Sequence, residues 1–78
     1  MIDLIILSPE RTLVHEQVHN VTLPSVQGPF QVLHGHAPIV AALEKGVVSY
    51  LGNDGLQAVE ISSGFAKVEN DTVTVCIE

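Results

Sequence analysis

The residues of this sequence best suited to binding a metal ion are His34 and His36. One residue separates them, so in an extended strand both imidazoles would point to the same face. A structural zinc site needs four ligands, usually in two close pairs. His15 and His19 would contribute only if the fold brought them close, and nothing in the sequence indicates that it does. We therefore expect no metal site.

The sequence also lacks the motifs that usually accompany nucleophilic catalysis and nucleotide binding. Ser62-Ser63-Gly64 is not the Gly-x-Ser-x-Gly turn that exposes a catalytic serine. Cys76 lies in an alternating segment, where a small apolar side chain packs well. No glycine-rich motif of the kind that holds phosphate groups is present. We expect a non-catalytic protein without a cofactor.

The composition favours a protein that binds another protein. Hydrophobic residues make up 46% of the chain and charged residues 15%, so some apolar surface is expected to face a partner. The net charge of −6 disfavours nucleic acid and anionic lipid as partners.

The sequence contains no apolar run of about 18 residues, the length needed to span a bilayer. The start of the chain also lacks the basic region of a signal peptide. We expect a cytoplasmic location.

Short apolar runs separated by turns predict an all-β fold. A strand over residues 2–7 should end at Ser8-Pro9, and two short strands with a bend are expected between Leu13 and Leu23. The loop from Pro24 to Pro29 precedes an extended run over residues 30–33, and Gly35 and Pro38 mark a second turn. Residues 39–43 fit a helix or a strand equally well by periodicity.

Two hairpins are predicted in the second half of the chain. One joins residues 47–51 to 56–61 through a turn containing Asp54-Gly55, and the other joins residues 64–69 to 72–77 through Asn70-Asp71. Strands and turns that alternate about every eight to twelve residues are typical of a β-sandwich or barrel. A chain of 78 residues has room for one hydrophobic core, so we expect a single domain over residues 1–78.

The order of several short motifs resembles the epsilon subunit of bacterial F-type ATP synthases. Each motif is weak alone, but together they cover the chain. They are Ser8-Pro9-Glu10, Val21-Thr22-Leu23-Pro24, Gly28-Pro29-Phe30-Gln31-Val32-Leu33, His36-Ala37-Pro38-Ile39-Val40 and Ser62-Ser63-Gly64-Phe65-Ala66-Lys67-Val68. The resemblance implies a small β-sandwich of about ten short strands, with residues 39–43 as a strand.

The resemblance also implies a place in a rotary machine. In this family the sandwich binds the gamma subunit and rests on the ring of c subunits, and the three turn together when protons or sodium ions drive the ring. The implied location is peripheral, on the cytoplasmic face of the inner membrane. The implied partners are gamma and the c ring, within the alpha, beta, gamma, delta and epsilon assembly.

The resemblance assigns two contact sites by position. The loop that meets the polar loops of the c ring corresponds to Ser25, Val26, Gln27, Gly28 and Pro29. Family members often carry an acidic residue beside that glycine, so Pro29 implies a contact made by shape and apolar packing. The face towards gamma corresponds to Ser8, His36, Ala37, Pro38 and Ala41.

Most family members continue into a domain of two helices that can extend along gamma and block rotation, whereas this sequence ends at Glu78. We therefore expect that inhibition by a helical domain is absent. The alternative function is a free-standing β-sandwich module that binds some other protein through Val26, Phe30 and Ile39. A third hypothesis, a small metal-dependent hydrolase built on His34, His36 and one of the acidic residues, is disfavoured, and stoichiometric metal in the purified protein would be needed to support it.

Overall fold

The computed structural model describes residues 1–78. All of its regular structure is β-strand, in nine strands rather than the predicted ten or so. They are β1 (Ile2–Leu7), β2 (Thr12–Val18), β3 (Asn20–Leu23), β4 (Phe30–Val32), β5 (Ile39–Leu43), β6 (Gly46–Gly52), β7 (Gly55–Ile61), β8 (Gly64–Glu69) and β9 (Thr72–Ile77). The structure contains no helix that is both long and apolar enough to cross a membrane.

The strands form two sheets, which confirms the predicted sandwich. The five-stranded sheet has the order β2-β1-β9-β8-β5, and the four-stranded sheet has the order β4-β3-β6-β7. The pairing of β1 with β9 is parallel, whereas every other strand pair is antiparallel. The first and last strands are therefore neighbours in the middle of one sheet.

The core lies between the sheets and follows the period-two pattern of the strands. In β1, Ile2, Leu4 and Ile6 are fully buried and alternate with more exposed residues. Val73 and Val75 do the same in β9. Each such side chain stabilises the fold by about 1.5 to 3 kcal/mol when it leaves water. Because one face of each strand is used for the core, the outer faces remain available for partners.

The segment between Leu13 and Leu23 is divided between the two sheets. β2 belongs to the five-stranded sheet and β3 to the four-stranded sheet, and the bend between them lies at His19. The His19 N–H donates to the Leu51 carbonyl at 2.7 Å, which fixes the crossing. The prediction of two strands with a bend is confirmed.

Both predicted hairpins are present, with different turn chemistry. Asn70 and Asp71 have φ of 51° and 55°, the left-handed values that a tight two-residue turn requires and that Asn and Asp tolerate. In the β6–β7 hairpin, Asn53 and Asp54 form the turn and Gly55 supplies the positive φ, at 99°. Glycine is favoured there because it has no Cβ.

Candidate functional site

The largest concavity of the protein is a groove of about 430 Å³ between the loop over residues 25–29 and strand β5. Residues 25–30 line one side and residues 39–42 line the other. None of these residues is charged. All five residues predicted to contact the c ring therefore lie at this groove, together with Ala41 from the predicted gamma face.

The base of the 25–29 loop is held firmly against β5. Ser25 is buried and forms an isolated β-bridge with Leu43. The Val26 N–H donates to the Ala42 carbonyl at 3.0 Å, and the Glu44 N–H donates to the Pro24 carbonyl at 2.9 Å. Backbone hydrogen bonds on both sides of Ser25 give the loop a fixed direction.

The tip of the same loop is exposed. The Gln27 N–H donates to the Ser25 hydroxyl at 3.2 Å, and the Gly28 N–H donates to the Ser25 carbonyl at 2.9 Å, so Ser25 closes a tight turn. Gly28 has φ of 120°, where any other residue would be strained. Val26 joins the base to the tip, and it is 53% exposed. The tip therefore presents apolar atoms on a stiff, uncharged turn.

A second candidate surface is the outer face of the five-stranded sheet. Here Leu7 lies beside Cys76, Cys76 beside Phe65, and Phe65 beside Ala42, across four adjacent strands. We call these four residues the apolar row. Phe65 is 55% exposed. Leu7 and Cys76 are half-buried and Ala42 is exposed, and apolar residues of this kind on an outer face are typical of a protein contact.

The face becomes more polar with distance from the apolar row. The next row contains Ile5, Thr74, Lys67 and Val40, and the row beyond it contains Asp3, Thr72 and Glu69. Lys67 and Glu69 form an exposed ion pair at 3.3 Å, which contributes little stability. A partner would therefore remove most apolar area from water by covering the apolar end of the face.

The residues assigned to gamma by resemblance do not form one cluster. Ser8 follows Leu7 at the apolar end of the face, where its hydroxyl accepts from the Arg11 N–H at 3.2 Å. Pro38 directly precedes β5, at the opposite end of the face, because β5 and β8 are antiparallel. Ala41 is only 9% exposed. The structure thus places Ser8 and Pro38 at the borders of the outer face.

The sequence reasoning did not identify the residues of the outer face itself. The signal was present in β8, where Phe65 alternates with the buried Ala66 and Val68 and so must lie on the outer side. Val40, 71% exposed, is out of phase with Ala41 and Leu43 in the same way. Large apolar residues at outward positions are the pattern that marks such a surface.

Asp71 is a further residue that the sequence reasoning missed. Its carboxylate accepts from the Gly35 N–H at 2.7 Å and lies 3.1 Å from the Nδ1 of His34. Asp71 therefore fastens the turn before β5 to the β8–β9 turn. His36 follows in the same turn, and its Nδ1 lies 2.7 Å from the Ala37 carbonyl. No group of three or more His, Cys, Asp or Glu residues is close enough together to hold a metal ion.

Comparisons with known proteins agree with one another. The family model for "ATP synthase, Delta/Epsilon chain, beta-sandwich domain" matches residues 1–78. The ATP synthase epsilon chain of Lawsonia intracellularis is 44% identical over 73 residues, which cover 94% of this chain and 55% of that protein. The ATP synthase epsilon chain of Magnetococcus marinus is 38% identical over 77 residues, covering 99% of this chain and 56% of that protein. The chain spans about half the length of these curated relatives.

Solved structures show the same fold. A chain of the Euglena gracilis mitochondrial ATP synthase, solved as an OSCP/F1/c-ring assembly, matches with a TM-score of 0.90 and 26% identity over 97% of this chain and 49% of that chain. A chain from the central stalk and c ring of the Tetrahymena thermophila mitochondrial ATP synthase matches with a TM-score of 0.80. It is 8% identical over 97% of this chain and 62% of that chain, so it supports the fold alone.

Proposed function

This chain belongs to the β-sandwich family of ATP synthase delta and epsilon chains, and we propose that it is a non-catalytic component of the rotor. In this role it binds the gamma subunit and docks on the c ring, so that ion-driven rotation is coupled to ATP synthesis. It works at the periphery of the membrane, on its cytoplasmic face. The observation that carries the proposal is that one sandwich presents two exposed apolar surfaces, the outer face of the five-stranded sheet and the 25–29 loop, which adjoin at Ala42.

The proposed gamma surface is the outer face of the five-stranded sheet. Ser8 and Pro38 border this face at opposite ends, and the apolar row runs across it from Leu7 to Ala42. A contact that spans both borders would cover Phe65 and Val40, the most exposed apolar side chains of the face. Covering them removes apolar area from water, which favours association.

The proposed c-ring surface is the tip of the 25–29 loop. Its exposed residues carry no charge, so the contact depends on shape and apolar packing, as Pro29 beside Gly28 implied. The hydrogen bonds from Val26 and Glu44 hold the base of the loop against β5. Because its base is fixed to β5, the loop can transmit the force of the turning c ring to the sandwich without changing its own direction.

The sandwich is suited to bearing load between these surfaces. Of 47 backbone hydrogen bonds, 38 lie within the strands. The parallel ladder from Asp3 to Leu7 joins β1 to β9 in the middle of one sheet. Removal of either strand therefore requires the rupture of a central ladder as well as the core.

Crosslinking in the assembled complex tests this assignment. We would replace Gln27, Phe65 or Leu56 singly by the photoreactive residue benzoylphenylalanine and irradiate detergent-extracted membranes. The expected products are a c-subunit adduct from position 27 and a gamma adduct from position 65. Leu56 is 74% exposed on the four-stranded sheet and serves as the matched control, with neither adduct expected.

Co-purification separates this function from the alternative. A tagged chain should bring gamma, c, alpha and beta subunits with it from membranes. Recovery of unrelated proteins through Val26, Phe30 and Ile39, without gamma or c, would contradict the rotor function and support a free-standing binding module.

A further inference from the structure

Strand β5 is an edge strand whose C-terminal end is covered by residues 24–26 and whose N-terminal half is open. Each sheet has two edges, which are β2 and β5 in one sheet and β4 and β7 in the other. β2 carries Glu16, β7 carries Glu60, and β4 is only three residues long. Charges and short length are devices that keep an edge from pairing with another chain. β5 has the sequence IVAAL, so its open N-terminal half is protected neither by charge nor by the covering loop.

The backbone of β5 has unused hydrogen-bonding groups on its open side. The Ala42 carbonyl accepts from Val26, which lies outside the sheet, so Ala42 presents its backbone groups outwards. Backbone groups alternate in direction along a strand, so Val40 does the same. By this alternation the N–H and carbonyl of Val40 and the N–H of Ala42 point away from β8, towards the open side. Val40 and Ala42 both line the groove described above.

We propose that the gamma subunit supplies an extended segment that adds to the open edge of β5 as a sixth strand of the sheet. This inference rests on the proposed function and specifies how gamma is held. Gamma is the occupant because β5 borders the outer face proposed for gamma, follows Pro38 directly and contains Ala41. Residues 24–26 already pair with the far end of β5 through the bridge of Ser25 to Leu43. The incoming strand would continue that line towards Pro38, which has no N–H and ends the row of donors.

The chemistry of the groove defines the segment. Its walls carry no charge and include Phe30, Ile39 and Pro29, so the segment should be uncharged, with apolar side chains towards the walls. A second copy of this chain is a poor occupant, because two chains of net charge −6 repel each other. Strand addition of this kind takes affinity from backbone hydrogen bonds and specificity from alternate side chains.

The test removes one backbone donor from the open edge. Val40→Pro deletes the outward N–H and leaves the bonds between β5 and β8, since proline is tolerated at edge positions whose N–H faces away from the ladder. Val40→Ala is the matched control, because it also shortens the side chain but keeps the N–H. We expect Val40→Pro to bind purified gamma about five- to tenfold more weakly than Val40→Ala, as the loss of one hydrogen bond predicts.

A second variant guards against misfolding of the proline variant. Chemical synthesis of the 78-residue chain with an ester bond in place of the Val40 amide removes the N–H and keeps the valine side chain. Equal binding of gamma by the wild-type and ester chains would overturn strand addition while leaving the proposed function intact. If gamma did not bind the wild-type chain at all, both the proposed function and this inference would fail.

Discussion

Truncation of Phe65 should separate binding to gamma from stability of the fold. Its side chain is 55% exposed at the centre of the apolar row. An aromatic side chain has about 150 to 250 Å² of surface, so about 80 to 140 Å² remains for a partner to cover. At about 25 cal/mol per Å² this is worth about 2 to 3.5 kcal/mol. Since alanine keeps part of that contact, we expect Phe65→Ala to weaken gamma binding about 10- to 100-fold.

The assay is a titration of purified gamma with labelled chain, paired with urea denaturation of the chain alone. Leu56→Ala is the matched control, because Leu56 is an exposed large apolar residue on the other sheet. We expect that control to bind gamma as the wild type does. Both variants should keep nearly the wild-type free energy of unfolding, since exposed substitutions usually change it by less than about 0.5 kcal/mol.

Two results would refute the reasoning about this face. The first is unchanged gamma binding by Phe65→Ala, which would mean that gamma does not cover the apolar row. The second is an equal loss of binding in Leu56→Ala, which would mean that the effect is not specific to the five-stranded sheet.

Three further changes test the core, the buried phenol and the turn before β5. Leu4 is fully buried, so Leu4→Ala should lower the free energy of unfolding by about 2 to 5 kcal/mol, measured by urea denaturation. Burial raises the pKa of Tyr50, and the Glu16 carboxylate adds to this rise. The stability that the neutral phenol contributes is therefore complete below about pH 10 and is lost as the pH rises further; Tyr50→Phe should flatten that loss in denaturation curves. Asp71→Ala removes the acceptor of the Gly35 N–H, so the Gly35 amide should exchange faster by NMR. Asp71→Asn, which keeps an acceptor oxygen, should change that rate much less.

Local chemistry was enough to predict much of the fold. Asp54-Gly55 and Asn70-Asp71 specified hairpins, because few residues accept the left-handed backbone of tight turns. Alternation in residues 72–77 predicted the strand β9, and Val73 and Val75 are its buried side because neighbouring side chains of a strand point to opposite faces. The alternation rule does not work for residues 39–43, because all five are apolar and no period of two or of 3.6 residues can be recognised. The resemblance to a family, rather than periodicity, predicted a strand there, and pairing with β8 confirms it.

Only the tertiary structure determined which residues share a surface. The sequence could assign Ser8 and Pro38 to one face by resemblance, but strand order places them at opposite ends of it. Asp71 and Gly35 meet although 36 residues separate them in the chain. The open edge of β5 exists because its partner lies on one side only, and no property of the sequence IVAAL specifies that. Strand order and register depend on contacts between distant segments, so a local pattern determines each strand but not its neighbours.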